Sequence, residues 1–150
     1  MKIVLQRVLG ASVSVGGEVI GEIGKGYLLL LGVSATDNVE IADKMIEKVS
    51  RLRIFEDCDG KTNLGIEQVD GEVLLISQFT LYADCRKGNR PSFTKAGNPV
   101  LAESLYNHVL KRCEELFKTV QHGIFGADMK VSLINDGPFT LVLDSDEILR

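Results

Sequence analysis

Apolar and polar residues alternate from the first position: "MKIVLQRV" continues to about residue 15, breaks at Gly16-Gly17, resumes in "EVIGEI", and after another glycine turn becomes "GYLLLLGVSA". Period-two runs cut by glycine turns predict three strands, a β-meander, over residues 1 to 35. Thr36-Asp37-Asn38 then offer N-caps, and Ile41, Met45, Ile46, Val49 and Leu52 fall at helical spacing, so 38–52 is predicted to be an amphipathic helix. "RLRIF" predicts a short strand leading into the acidic turn "EDCDGK".

The segment "GEVLLISQFTLYA" at 71–83 begins as a continuous apolar run and is expected to form a central strand, followed by a long loop at 84–98. Pro99 opens a second helix whose buried stripe is predicted as Leu101, Leu105, Val109, Cys113, Leu116 and Val120, closed by "HGIFGAD". The last element, "VSLINDGPFTLVLD" at 131–144, looks like two strands joined by a tight turn that carries Asn135-Asp136-Gly137-Pro138. The Gly-Pro is unusual there, because Asn-Gly or Asp-Gly serves a two-residue hairpin and proline removes a ladder donor. A plain surface turn is one explanation.

Runs of strands with two longer helices between them predict an α+β fold. Largely antiparallel sheets would form a roll or barrel-like layer covered by the two main helices, in a single domain over 1–150. No Gly-rich phosphate loop follows the first strand, so neither a Rossmann nor a P-loop architecture is supported. At 150 residues the chain buries roughly two thirds of its unfolded surface. No apolar run reaches the roughly 18 residues of a membrane span, and the start lacks a signal-peptide layout, so the expected location is cytoplasmic.

The cysteines Cys58, Cys85 and Cys113 are widely spaced, odd in number and without a CxxC pair, which argues against a disulfide framework and a zinc site. His108 and His122 lack a second ligand at metal-binding spacing. Neither a metal nor another cofactor is expected. The net charge of −4 is unfavourable for a nucleic-acid binder, yet "RKGNRPSFTK" at 86–95 concentrates Arg86, Lys87, Arg90 and Lys95 without an acid. This stretch is either a solvated loop or a phosphate-facing patch.

Ser77, Gln78 and Thr80 interrupt the apolar run of the central strand. Alternation would set Gln78 and Thr80 on one face with Ser77 and Phe79 on the other. Such polar residues either accompany a strand leaving the core or face a cleft.

Three elements occur together: "SQFTLY" on a strand, "GNRPSF" in a loop and "NDGPFT" near the end. The combination resembles the D-aminoacyl-tRNA deacylases, also called D-tyrosyl-tRNA deacylases. The resemblance extends through "QRV" at 6–8, "RIFED" at 53–57 and "FGADMKVSL" at 125–133. Phe139 stands where that family more usually has valine.

The resemblance implies hydrolysis of the ester of D-aminoacyl-tRNA, glycyl-tRNA included, by a homodimer in which a cis Gly137-Pro138 motif of each subunit enters the pocket of the other. Rigid Gly137 and Pro138 carbonyls would occupy the space of an L-side chain, excluding L-esters by clash. It further implies catalysis around Ser77, Gln78, Phe79 and Thr80, and substrate binding and chiral selection by Gly137, Pro138, Met129 and Asn135. Acceptor-stem phosphates would meet Arg86, Lys87 and Arg90.

Two chemistries stay open. Thr80 is either a nucleophile, with no histidine nearby in sequence to activate it, or a pocket residue, with N–H groups around Phe79 and Thr80 stabilising an oxyanion while water attacks with help from the 2′-hydroxyl. Rival functions are a binding module for an adenosine-like end and a hydrolase using Thr80 or Cys85. Arg7 is expected to be a surface residue, its alternative being support of the Gly-Pro carbonyls.

Overall fold

A computed structural model describes all 150 residues. The first strand, β1 (Lys2–Val15), is long enough to serve two partners on one edge. Its second half pairs antiparallel with β2 (Glu18–Ile23) and its first half with β3 (Gly26–Gly32). The order β2-β1-β3 therefore replaces the expected meander, because the six-residue β2 leaves half of the 14-residue β1 free for β3.

Helix α1 (Val39–Ser50) starts at Asn38, whose side chain accepts from the Ile41 N–H at 2.9 Å. The neighbouring Asp37 instead binds the Met1 ammonium at 2.6 Å. A short antiparallel pair follows, β4 (Arg53–Glu56) with β5 (Thr62–Gly65). The chain then returns along β6 (Glu72–Ser77), parallel to β3, and α2 (Pro99–Leu116) carries it to β7 (Val120–His122), parallel to β6. Each parallel pair needs a crossover, and the two helices are those crossovers. The result is a mixed sheet, antiparallel around β1 and parallel beyond β3, that curls until Gly21 of β2 faces the His122 carbonyl of β7.

Val120 thus belongs to a strand, paired with Val73, and the helical stripe ends earlier. Residues Ala102, Leu105, Tyr106, Val109 and Cys113 are the buried face of α2. Leu29, Leu31, Val73 and Leu75 pack with Met45, Ile46, Val49 and Val109 between sheet and helices, whereas Leu28, Leu74 and Ile76 pack with Val8 and Val13 on the other face. Strands buried on both faces read as continuous apolar runs, as β3 and β6 do. His108 Nε2 meets Asp43 Oδ1 at 2.7 Å, a structural contact between α2 and α1.

The final segment differs most from expectation. Residues Met129–Asp144 form one strand, β8, followed by the short helix α3 (Ser145–Ile148). β8 runs along the free edge of β1 from Val15↔Met129 to Lys2↔Asp144. Between the pairs Val8↔Asn135 and Gln6↔Thr140, residues 136–139 stand opposite Arg7 alone. The Gly-Pro is therefore a wide bulge in one strand, with no hairpin.

Candidate active site

β6 stops at Ser77. The Gln78 N–H donates to the Leu31 carbonyl at 2.7 Å, and the chain then tightens into a 3-10 turn over Phe79–Tyr82. Gly32 permits that turn to pack close, since a Cβ there would lie 2.9 Å from Leu81 Cβ and 3.2 Å from the Gln78 carbonyl oxygen. The expected strand alternation of Ser77 to Thr80 is thereby replaced. Within the turn, Leu81 N–H donates to Gln78 and Ala83 N–H to Thr80. Phe79 and Thr80 supply its leading N–H groups, which have no partner inside such a turn.

A cleft of about 560 Å³ opens beside this turn. Ser77, Gln78 and Phe79 line one side, Pro99, Ala102 and Tyr106 of α2 another, and Phe125, Asp128, Met129 and Val131 a third. Its walls are mostly apolar, with few polar groups, the pattern of a small-molecule site. Ser77, Gln78, Phe79 and Met129 are thus brought together as expected from sequence, while Tyr106 and Phe125 were not singled out there. The Tyr106 hydroxyl donates to the Leu75 carbonyl at 3.1 Å, and burial pushes its pKa up to about 12, leaving it neutral. Its place on the buried stripe of α2 gave no sign of a cleft.

Thr80 lies outside the lining, and its Oγ1 accepts from Gln78 Nε2 at 2.6 Å. The nearest ring contacts of the two histidines are Asp43 for His108 and the Gly123 carbonyl for His122. Neither ring is hydrogen-bonded to Thr80. Cys85 is exposed and also lies outside the cleft.

Gly137 and Pro138 do not line the cleft of their own chain. Their bond is cis, and both residues are exposed. Two side chains hold the bulge. Asn135 accepts the Phe139 N–H at 2.6 Å and donates to the Phe139 carbonyl at 3.2 Å, closing the loop on itself. The Asn135 amide, expected at the substrate, is engaged here in fixing the shape of the loop.

Arg7 is 5 % exposed, not a surface residue. Its guanidinium donates to the Asp136 carbonyl at 3.1 Å and the Ile54 carbonyl at 2.6 Å, and lies 4.6 Å from the centre of the Phe139 ring. A signal for this existed: Ile3, Leu5 and Arg7 share one parity of β1, and that parity is buried.

In the basic loop, Arg86 is forked onto Asp84, Nε at 2.9 Å and Nη2 at 2.5 Å, and this holds the Asp84 carboxyl well below its usual range. The acid just outside the basic stretch thus pairs with one of its cations, Arg86, whose side chain stays largely exposed. Lys87, Arg90 and Lys95 form no ion pair.

A family model described as D-Tyr-tRNA(Tyr) deacylase matches residues 4–144. Among solved structures, one named c-Myc DNA Unwinding Element Binding Protein is 41% identical, with a TM-score of 0.91 over 96% of this chain and 98% of that chain. Another, a probable eukaryotic D-amino acid tRNA deacylase, is 14% identical with a TM-score of 0.83, covering 95% of this chain and 97% of that one. At that identity the second likeness concerns the fold.

Proposed function

The chain belongs to the D-Tyr-tRNA(Tyr) deacylase family, so it is a hydrolase of D-aminoacyl-tRNA, and we propose that it works by backbone-assisted attack of water in the cleft beside Ser77, Gln78 and Phe79. The terminal adenosine enters between Gln78 and Met129, with the ester carbonyl toward the Phe79 and Thr80 N–H groups. Water adds to the carbonyl carbon, its proton relayed through the 2′-hydroxyl. The oxyanion is held by the two N–H groups. Collapse breaks the ester bond, and the 3′-oxygen leaves with a proton as tRNA and free D-amino acid separate. The observation that carries this mechanism is the 3-10 turn itself, which starts at the apolar cleft with the Phe79 and Thr80 N–H groups unshared within the turn, while Thr80 Oγ1 accepts from Gln78.

Chirality is read by Gly137 and Pro138 of a second copy. Three features support this: the bulge is exposed, it is held by Asn135 and Arg7, and it is absent from the cleft of its own chain. It sits on β8, whose outer edge pairs with nothing and carries the exposed Ile134 and Val142. An open edge of this length invites an identical strand. The Gly137 and Pro138 carbonyls fill the place of an L-side chain, so D-aminoacyl and glycyl esters are cleaved and L-esters are rejected. No helix is long and apolar enough to cross a membrane; the reading assigns the protein to the cytoplasm, where charged tRNA is used.

The test is release of amino acid from matched D-tyrosyl-, L-tyrosyl- and glycyl-tRNA by metal-free protein. Hydrolysis of the D and glycyl esters alone is expected. Cleavage of the L ester at a similar rate would remove the filter, and binding without cleavage would leave only a nucleic-acid-binding module. The 41% identity to a protein named for binding a DNA unwinding element supports a second reading, in which the free cations of loop 84–98 hold unwound DNA. Competition of single-stranded DNA against tRNA measures it.

A further inference from the structure

Two aromatic rings stand in the open beside the cleft. Phe79 is 56% exposed and Phe93 38% exposed, and their rings meet edge-on with centroids 5.0 Å apart. Phe79 comes from the 3-10 turn that lines the cleft, Phe93 from loop 84–98. The loop is anchored on both sides of Phe93: Asp84 and Ser92 exchange both backbone hydrogen bonds, at 2.7 and 2.9 Å, and Gly97 N–H donates to the Val33 carbonyl at 2.9 Å. The ring is therefore mounted before any ligand arrives. In the same loop Lys87 and Arg90 form no ion pair, and Lys95, which helps hold the Asp84 carboxyl ionised, makes no ion pair within 4 Å. Aromatic faces flanked by free cations match an unpaired nucleotide strand, whose bases stack while its phosphates meet the cations.

We propose that the Phe79–Phe93 pair is a stacking platform for the penultimate base of the tRNA 3′ end, with Lys87, Arg90 and Lys95 on the phosphates that precede it. This rests on the assignment of the cleft to the terminal aminoacyl-adenosine. With that nucleoside inside, the next nucleotide leaves past Phe79, and Phe93 is the other exposed ring there. Stacking reads the face of a base, not its hydrogen-bonding edge, so any base is accepted. It also links substrate length to the turn whose N–H groups meet the oxyanion, because Phe79 belongs to both.

The experiment compares D-tyrosyl esters of adenosine, of the dinucleotide CpA, and of a dinucleotide with an abasic penultimate position. Stacking is worth roughly 5- to 150-fold per base. For the wild-type protein, kcat/KM on the CpA ester is expected to exceed that on the adenosine and abasic esters by about ten-fold, toward the low end of that range. Phe93→Leu, which keeps apolar volume and loses the π face, should erase the advantage while the adenosine ester changes less than about two-fold. Phe93→Trp should keep it. Equal rates on CpA and abasic esters in the wild type, or an advantage that survives Phe93→Leu, would overturn the platform with the deacylase intact. Failure of the wild type on every ester would overturn the deacylase assignment itself.

Discussion

Gly137 is the residue where backbone geometry and selection meet. Its φ is +143, and a Cβ there would stand 3.0 Å from the Phe139 nitrogen and 3.3 Å from Arg7 Nη2. Neither neighbour yields easily, one being backbone and the other a guanidinium anchored to two carbonyls. Gly137→Ala is expected to cost about 1–3 kcal/mol of stability and to lower the ratio of D- to L-tyrosyl-tRNA hydrolysis, measured by thermal melting and by paired release assays. Thr80→Ala tests the other end of the mechanism. Its hydroxyl makes one hydrogen bond, with Gln78, so the variant should stay within about ten-fold of wild-type turnover. Abolished turnover with normal folding and binding would make Thr80 the nucleophile. Arg7 shows what residue-level pattern can hide in plain view: a charge on the buried parity of β1 was a signal for a buried guanidinium, but only the fold supplied Asp136 and Ile54 as its partners.

At the scale of elements, helices were more legible than strand ends. Asn38, one of the three candidate caps, caps α1, and Pro99 opens α2 as expected, with Asn98 as its cap. Strand β6 ends early because the main-chain bond from Gln78 to Leu31 and close packing on Gly32 terminate it, and neither has a side-chain signature. Val120 continues a helical spacing yet pairs with Val73, since a three-residue strand carries too little pattern to compete. Loop 84–98 shows how a charge count depends on its limits: Asp84 lies two positions before the stretch 86–95, whose charges are all basic, and pairs with Arg86. Replacing Lys87 and Arg90 with alanine should therefore weaken binding to different tRNAs alike and flatten the slope of log affinity against log salt by about 1.4 to 1.8. Arg86→Ala should change that slope less, and fluorescence anisotropy over a salt series reads both.

For the whole molecule, the free edge of β8 and the isolation of its bulge from the cleft lead to one expectation. Ile134→Lys, placed on the exposed side of that strand, should give a monomer by sedimentation and lose D-tyrosyl-tRNA hydrolysis with it. A monomeric wild type with full activity would break the link. Alkaline pH probes the core. Burial pushes the Cys113 thiol from 9.0 up to about 12, so the unfolded chain releases this proton first. The stability this protonated thiol contributes is complete below pH 9 and declines as pH rises toward 12, by up to about 1.4 kcal/mol per unit. Urea midpoints between pH 8 and pH 10.5 should fall along this course, and Cys113→Ala should flatten it. By itself the sequence determined the two main helices, the α+β class and the family, because periodicity and contiguous motifs are recorded within short stretches of chain. Only the tertiary structure decided that β8 is one bulged strand along β1, that Arg7 reaches Asp136 across the sheet, that α2 contributes Tyr106 to the cleft, and that Gly137 and Ser77 of one chain do not share it. Those outcomes depend on which main-chain edges pair and which distant surfaces pack, and the residues that meet there carry no mark of their partner.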